Sequence, residues 1–82
     1  MNVLIIGGGG FIGSRLATEW LQQQPQSKGK ITLVDREFPD KITKNRGFKC
    51  VEGDFSDPTI INPLLIKKPD LIFHLAAVVS GE

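Results

Sequence analysis

The chain has 82 residues, 40% hydrophobic and 23% charged, which bounds it to one small domain close to the minimum size for an independently stable core. Ten basic against nine acidic residues leave a formal charge of +1, so there is no electrostatic basis for binding nucleic acid or an anionic membrane surface. The single Cys50 excludes an intramolecular disulfide and a cysteine-rich metal site. No run approaches the ~18 apolar residues of a membrane span, and no basic segment precedes the first apolar run. The expected location is therefore cytoplasmic.

The first element is a continuous aliphatic run, Asn2 to Ile6, bounded by glycine, which predicts a short strand buried on both faces. GGGGFIG follows, Gly7 to Gly13. It fits two spacings: Gly8, Gly10 and Gly13 form G-x-G-x-x-G, and Gly7, Gly10 and Gly13 form G-x-x-G-x-x-G. From Phe11 the period changes to that of a helix, with Ile12, Leu16, Ala17, Trp20 and Leu21 on one side and Arg15, Thr18, Glu19 and Gln22 on the other. Pro25 and the polar Gln26 to Gly29 end it.

KITLV, Lys30 to Val34, predicts a second buried strand closed by Asp35. The polar REFPDKITKNRG stretch reads as a loop with room for one helical turn. Phe48 to Val51 predicts a third strand, ending at Glu52-Gly53-Asp54. Asp57-Pro58 is a helix start, an N-cap acceptor followed by proline at the first helical position. Ile60, Ile61, Leu64 and Leu65 give that helix an apolar face, and Pro63 inside it is expected to shorten or kink it. Asp70 to Val79 is the most hydrophobic stretch and predicts a central parallel strand.

The order β-α-β-β-α-β predicts an α/β fold, the N-terminal half of a doubly wound parallel-sheet Rossmann fold. A complete small α/β sandwich is the alternative. The glycine run at the first strand–helix junction favours the nucleotide-binding version. Glycines let backbone N–H groups approach a pyrophosphate closely, and the helix that follows points its positive end at the same place. A glycine-rich turn without a ligand is the competing reading, and the absence of a Gly-Lys-Ser or Gly-Lys-Thr sequence excludes a P-loop.

Asp35, about 20 residues beyond the last glycine, stands where an acid accepts the ribose hydroxyls of NAD. A carboxylate there repels a 2′-phosphate, whereas the adjoining Arg36 could bind one or stack on adenine. Asp54 is a candidate for the adenine amino group or a simple turn residue. His74, inside an apolar run, is expected to be a core histidine, as Cys50, Trp20 and Phe73 are expected to be packing residues.

With these residues placed, the chain resembles the beginning of an extended short-chain dehydrogenase/reductase of the NAD-dependent epimerase/dehydratase group. The matching segments are I-G-G-G-G-F-I-G (6–13), V-D (34–35), E-G-D-F-S-D (52–57) and H-L-A-A (74–77). That resemblance selects Gly7, Gly10 and Gly13 as the functional spacing. It departs at Ile6, where threonine is common, and at Gly9, where alanine is common and the extra glycine is expected to loosen the turn.

The resemblance implies NAD as cofactor. Phe11 and Ile12 would offer N–H groups to the pyrophosphate and Asp35 would take the ribose. Asp54 and Phe55 would border adenine, and Leu75, Ala76 and Ala77 would line the cofactor's middle. The run F-H-L-A-A-V-V-S-G-E (73–82) looks most like the four-carbon sugar-acid branch, the D-erythronate dehydrogenases, which would place Ser80 near a sugar-acid substrate. A nucleotide-sugar epimerase/dehydratase fragment and a non-catalytic nucleotide-sensing or interaction module are the alternatives. The family's proton-transfer pair, Tyr-x-x-x-Lys, has no counterpart because the chain contains no tyrosine. Residues 1–82 are thus expected to be a partial NAD-binding domain, inactive alone, of a parent enzyme that could be a homo-oligomer.

Overall fold

The structure, a computed structural model, describes residues 1–7 and 9–75. Four parallel strands form one sheet: β1 (Val3–Ile6), β2 (Ile31–Asp35), β3 (Phe48–Glu52) and β4 (Leu71–His74). Their spatial order is β3-β2-β1-β4. Val3 stands beside Ile31 on one side and Leu71 on the other, so β1 is the central strand and all four of its residues are buried. This explains its unbroken aliphatic sequence, since a parallel strand flanked on both sides and covered on both faces leaves no position for a polar side chain.

Helix α1 (Phe11–Gln23) links β1 to β2, and a 3₁₀ turn at Pro25–Ser27 replaces the next helical turn where proline removes the donor. The one-turn helix α2 (Asp40–Thr43) links β2 to β3. Helix α3 (Pro58–Ile66) links β3 back across the sheet to β4. Successive steps from β1 to β3 run in one direction across the sheet and the step to β4 reverses it. Right-handed crossovers then require α3 on the face opposite α1.

Residue alternation along the strands divides the core accordingly. Val3, Ile5, Ile31, Leu33 and Phe48 pack with Ala17 of α1 and Ile42 of α2. Leu4, Ile6 and Val34 face the other way, toward Ile60, Ile61 and Leu64 of α3. Trp20 and Phe73 are half-buried at the edge of the first layer, where their rings meet edge to face at a centroid distance of 5.7 Å.

Two expectations change here, those for Ile12 and His74. Ile12 belongs by spacing to the apolar stripe of α1, yet it is 69% exposed. It lies in the first turn, beyond the end of the strands, and the buried positions of the helix are Gly13, Ser14 and Ala17. His74 is exposed rather than a core histidine, because it falls on the thinly covered face of a strand with one described neighbour. β4 is an edge of the described sheet, as expected for the half of a doubly wound sheet that these residues make. Pro63 lies within α3, which ends three residues later at Ile66 and is short, at nine residues. The ring removes a single bond, to the Thr59 carbonyl, from a helix whose start is already fixed. Asp57 Oδ1 accepts the Thr59 N–H at 2.9 Å and the Thr59 hydroxyl at 2.8 Å, with Pro58 preset for the first position. Among the described residues, no helix is long and apolar enough to cross a membrane.

Candidate dinucleotide site

All four strands point the same way, so the residues at and just beyond their C-terminal ends gather at one edge of the sheet: Gly7, Asp35 and Arg36, Gly53 and Asp54, and Leu75. The chain reverses its direction of travel between β1 and β4, which makes the crevice above β1 a topological switch point. Gly7 turns there with φ +94°, a conformation that favours glycine. Its N–H extends the ladder to the Val34 carbonyl at 2.7 Å, and its carbonyl accepts the Gly10 N–H at 3.3 Å. Leu75 is held alongside by its N–H bond to the Ile6 carbonyl at 2.8 Å.

Gly10 caps α1 without a side chain, and the first turn of the helix contains no acidic residue. Ser14 N–H bonds to the Gly10 carbonyl at 2.8 Å. Among the described residues, nothing accepts the N–H groups of Phe11, Ile12 and Gly13. Three unmet donors at the positive end of a helix of 13 residues are the chemistry that holds a phosphate or pyrophosphate. The residues therefore fit a dinucleotide. Gly13 is buried, as expected of a glycine that brings helix and strand together, while Phe11 is 83% exposed and its ring takes no part in the core. A groove of about 550 Å³ opens beside this turn, walled by Gly10, Phe11, Arg15, Pro39 and Lys41.

Asp35 is tied into the same turn. Its Oδ2 accepts the Gly9 N–H at 3.0 Å and its Oδ1 accepts the Arg36 N–H at 2.7 Å. Gly9 is consequently not a source of looseness. A Cβ there would lie 1.8 Å from the Glu37 carbonyl oxygen, so only glycine lets the turn pass this close to the chain leaving β2. The sequence signals the glycine run but not this contact, which depends on where the loop after Asp35 returns.

Asp54 and Arg36 meet across the ends of β3 and β2. Arg36 Nη2 donates to Asp54 Oδ2 at 3.2 Å, while Asp54 Oδ1 accepts from both the Ser56 N–H at 2.9 Å and the Ser56 hydroxyl at 2.7 Å. Those two Ser56 bonds, with a smaller contribution from Arg36, hold the Asp54 carboxyl below its ordinary pKa. Ser56, which the sequence motifs do not single out, thus fixes the Asp54 carboxylate. Its signal is the Asp-x-Ser spacing of a side-chain-capped turn. Phe55 turns into the second apolar layer, its ring edge-on to His74 at 5.8 Å. Burial, and then the Glu52 carboxylate, push the Cys50 thiol pKa up, which fits packing rather than nucleophilic chemistry. Ala76, Ala77 and Ser80 lie outside the described residues.

Residues 3–82 match the family model of the NAD dependent epimerase/dehydratase family. The chain belongs to that family. Its cofactor is NAD(H). Over its whole length it is 40% identical to D-erythronate dehydrogenase of Cupriavidus necator and 38% identical to the enzyme of that name in Haemophilus influenzae. It is also 32% identical, over 99% of its length, to a sterol-4-alpha-carboxylate 3-dehydrogenase (decarboxylating) of Saccharomyces cerevisiae. These alignments cover 27%, 26% and 25% of the respective relatives, so the chain spans about a quarter of the length of the curated relatives it matches.

Proposed function

We propose that these residues form the adenosine- and pyrophosphate-binding part of an NAD-dependent dehydrogenase that oxidises a hydroxyl of a small sugar acid. The three unpartnered N–H groups of Phe11, Ile12 and Gly13, beside the oriented carboxylate of Asp35, carry the cofactor half of this reading. The identity to two D-erythronate dehydrogenases over the whole chain supports the substrate half.

In this reading the first turn of α1 receives the pyrophosphate, with Gly7 and Gly10 keeping the approach open. The Asp35 carboxylate keeps free lone pairs after accepting the Gly9 and Arg36 N–H groups, and these take the ribose hydroxyls. Asp54 and the Phe55 backbone border the adenine. Leu75, beside Ile6, lies toward the cofactor's middle. Bound NAD supplies a hydride acceptor. The proton of the substrate hydroxyl has no tyrosine to receive it within these 82 residues, so the proton-transfer group is assigned to a part of the enzyme outside them.

The test is a ¹H–¹⁵N NMR titration of the chain with NAD. Saturable shifts are expected at the amides of Gly7, Gly10 to Gly13, Asp35 and Gly53 to Phe55. A spectrum in which these amides stay fixed while NAD is raised to tens of millimolar would sink the reading.

A further inference from the structure

The ion pair between Arg36 and Asp54 is not needed to hold the sheet together. Both side chains are exposed, at 72% and 44%, and β2 and β3 are already joined by their ladder and by the Gly53 N–H bond to the Asp35 carbonyl at 2.9 Å. Its position is more telling than its strength. Arg36 directly follows the acid proposed to bind the ribose, and as a guanidinium it could neutralise a phosphate on the ribose 2′ oxygen. In the structure it does not turn to Asp35. Both Asp35 oxygens are engaged by backbone N–H groups, of Gly9 and of Arg36 itself, and the guanidinium reaches across to β3.

Asp54 is well set to hold it. Ser56 fixes one carboxylate oxygen with two hydrogen bonds, leaving the other aimed at Nη2. We propose that Asp54, oriented by Ser56, is a specificity-determining residue that draws the Arg36 guanidinium away from the ribose 2′ position, and so adds to the discrimination against a 2′-phosphorylated dinucleotide that Asp35 alone provides. The cation is occupied by Asp54, and it is therefore not free to meet a 2′-phosphate. This rests on the cofactor-binding reading above.

The expected size follows from the exposure of the pair. A solvent-exposed ion pair changes an equilibrium by roughly two- to fivefold, so the effect is a bias and not an absolute switch. NAD and NADP differ only in the 2′-phosphate, and any loss of adenine contact caused by changing Asp54 affects both alike. The ratio of their dissociation constants therefore isolates the proposed role.

The experiment measures that ratio by NMR titration of the 82-residue chain, its Asp54→Asn variant, and the double variant Asp54→Asn/Arg36→Gln. Asp54→Asn is expected to shift the ratio toward NADP by roughly two- to fivefold, with the Arg36 side-chain Nε–H resonance moving on NADP addition. The double variant is expected to lose that gain. An unchanged ratio in Asp54→Asn, or a gain that survives removal of the guanidinium, overturns the inference while leaving the NAD site intact. If neither dinucleotide moves the amides of Gly10 to Gly13 in any variant, the cofactor-binding reading falls and this inference falls with it.

Discussion

The two faces of the sheet are built to different standards. On the α1 face, seven buried residues from three strands and two helices pack together, and Ala17, Ile31 and Leu33 are 0% exposed. On the α3 face three strand residues are buried, α3 itself contributes no buried residue, and Leu65, Ile66 and Ile72 remain 41%, 76% and 46% exposed. Helix length accounts for part of this: α1 has 13 residues and α3 has nine, one of them a proline. Composition accounts for more. Thr32 and Lys49 occupy the strand positions that alternate onto the α3 face. The α1 face thus anchors the glycine turn, whereas the α3 face carries the Asp54 end of the site on a lightly covered support.

The sharpest way to break this comparison is to remove buried volume from each face in turn. Leu33→Ala on the α1 face is expected to cost about 2–5 kcal/mol, enough to leave much of the population unfolded in a urea titration. Leu64→Ala, on the half-exposed side of α3, is expected to cost about 1 kcal/mol because less apolar area returns to water. Equal losses would show that α3 is packed as firmly as α1. A cap substitution tests α3 alone. Asp57→Ala removes the acceptor for the Thr59 N–H and should destabilise by about 1 kcal/mol, seen as faster amide exchange in α3 with α1 unchanged.

The smallest effect concerns charge. Because the folded Asp54 pKa lies below its ordinary value, its stabilising bonds are complete above that ordinary value and are lost as pH falls through the lower, folded one. An NMR titration of its carboxyl should therefore give a midpoint below the usual aspartate range. Ser56→Ala should raise that midpoint more than Arg36→Gln does, since Ser56 is the larger cause. The reverse order would mean that the ion pair, and not the turn, fixes the carboxylate.

How much of this was legible in the sequence depended on whether the cause was local. The β1 run, the start of α1 at Phe11 and the Asp57-Pro58 cap are fixed by residues within one turn of one another, and the structure has the last two where spacing predicts, while β1 begins at Val3 and not Asn2. The end of β2 differs by one residue, with Asp35 inside the strand and not after it. Ile12 and His74 could not be read this way. Each is apolar or buried by pattern, but its exposure depends on where a helix overhangs the sheet and on which strands flank β4. The Arg36–Asp54 pair spans 18 positions and exists because β2 and β3 run in parallel with Asp35 beside Glu52. No single-sequence pattern encodes that alignment.

The bond from the Gly9 N–H to Asp35 has a consequence for anyone who would redesign the site. The acid proposed to choose the sugar is also a strut for the loop that meets the phosphates. Replacing Asp35 with serine to admit another cofactor would withdraw a negative charge from one end of the dinucleotide and shorten the brace at the other. Gly9 cannot be enlarged to compensate, because the Glu37 carbonyl occupies the space. Selectivity and loop shape are in this way a single inherited trait, and a successful exchange of cofactor would have to replace both functions of one carboxylate.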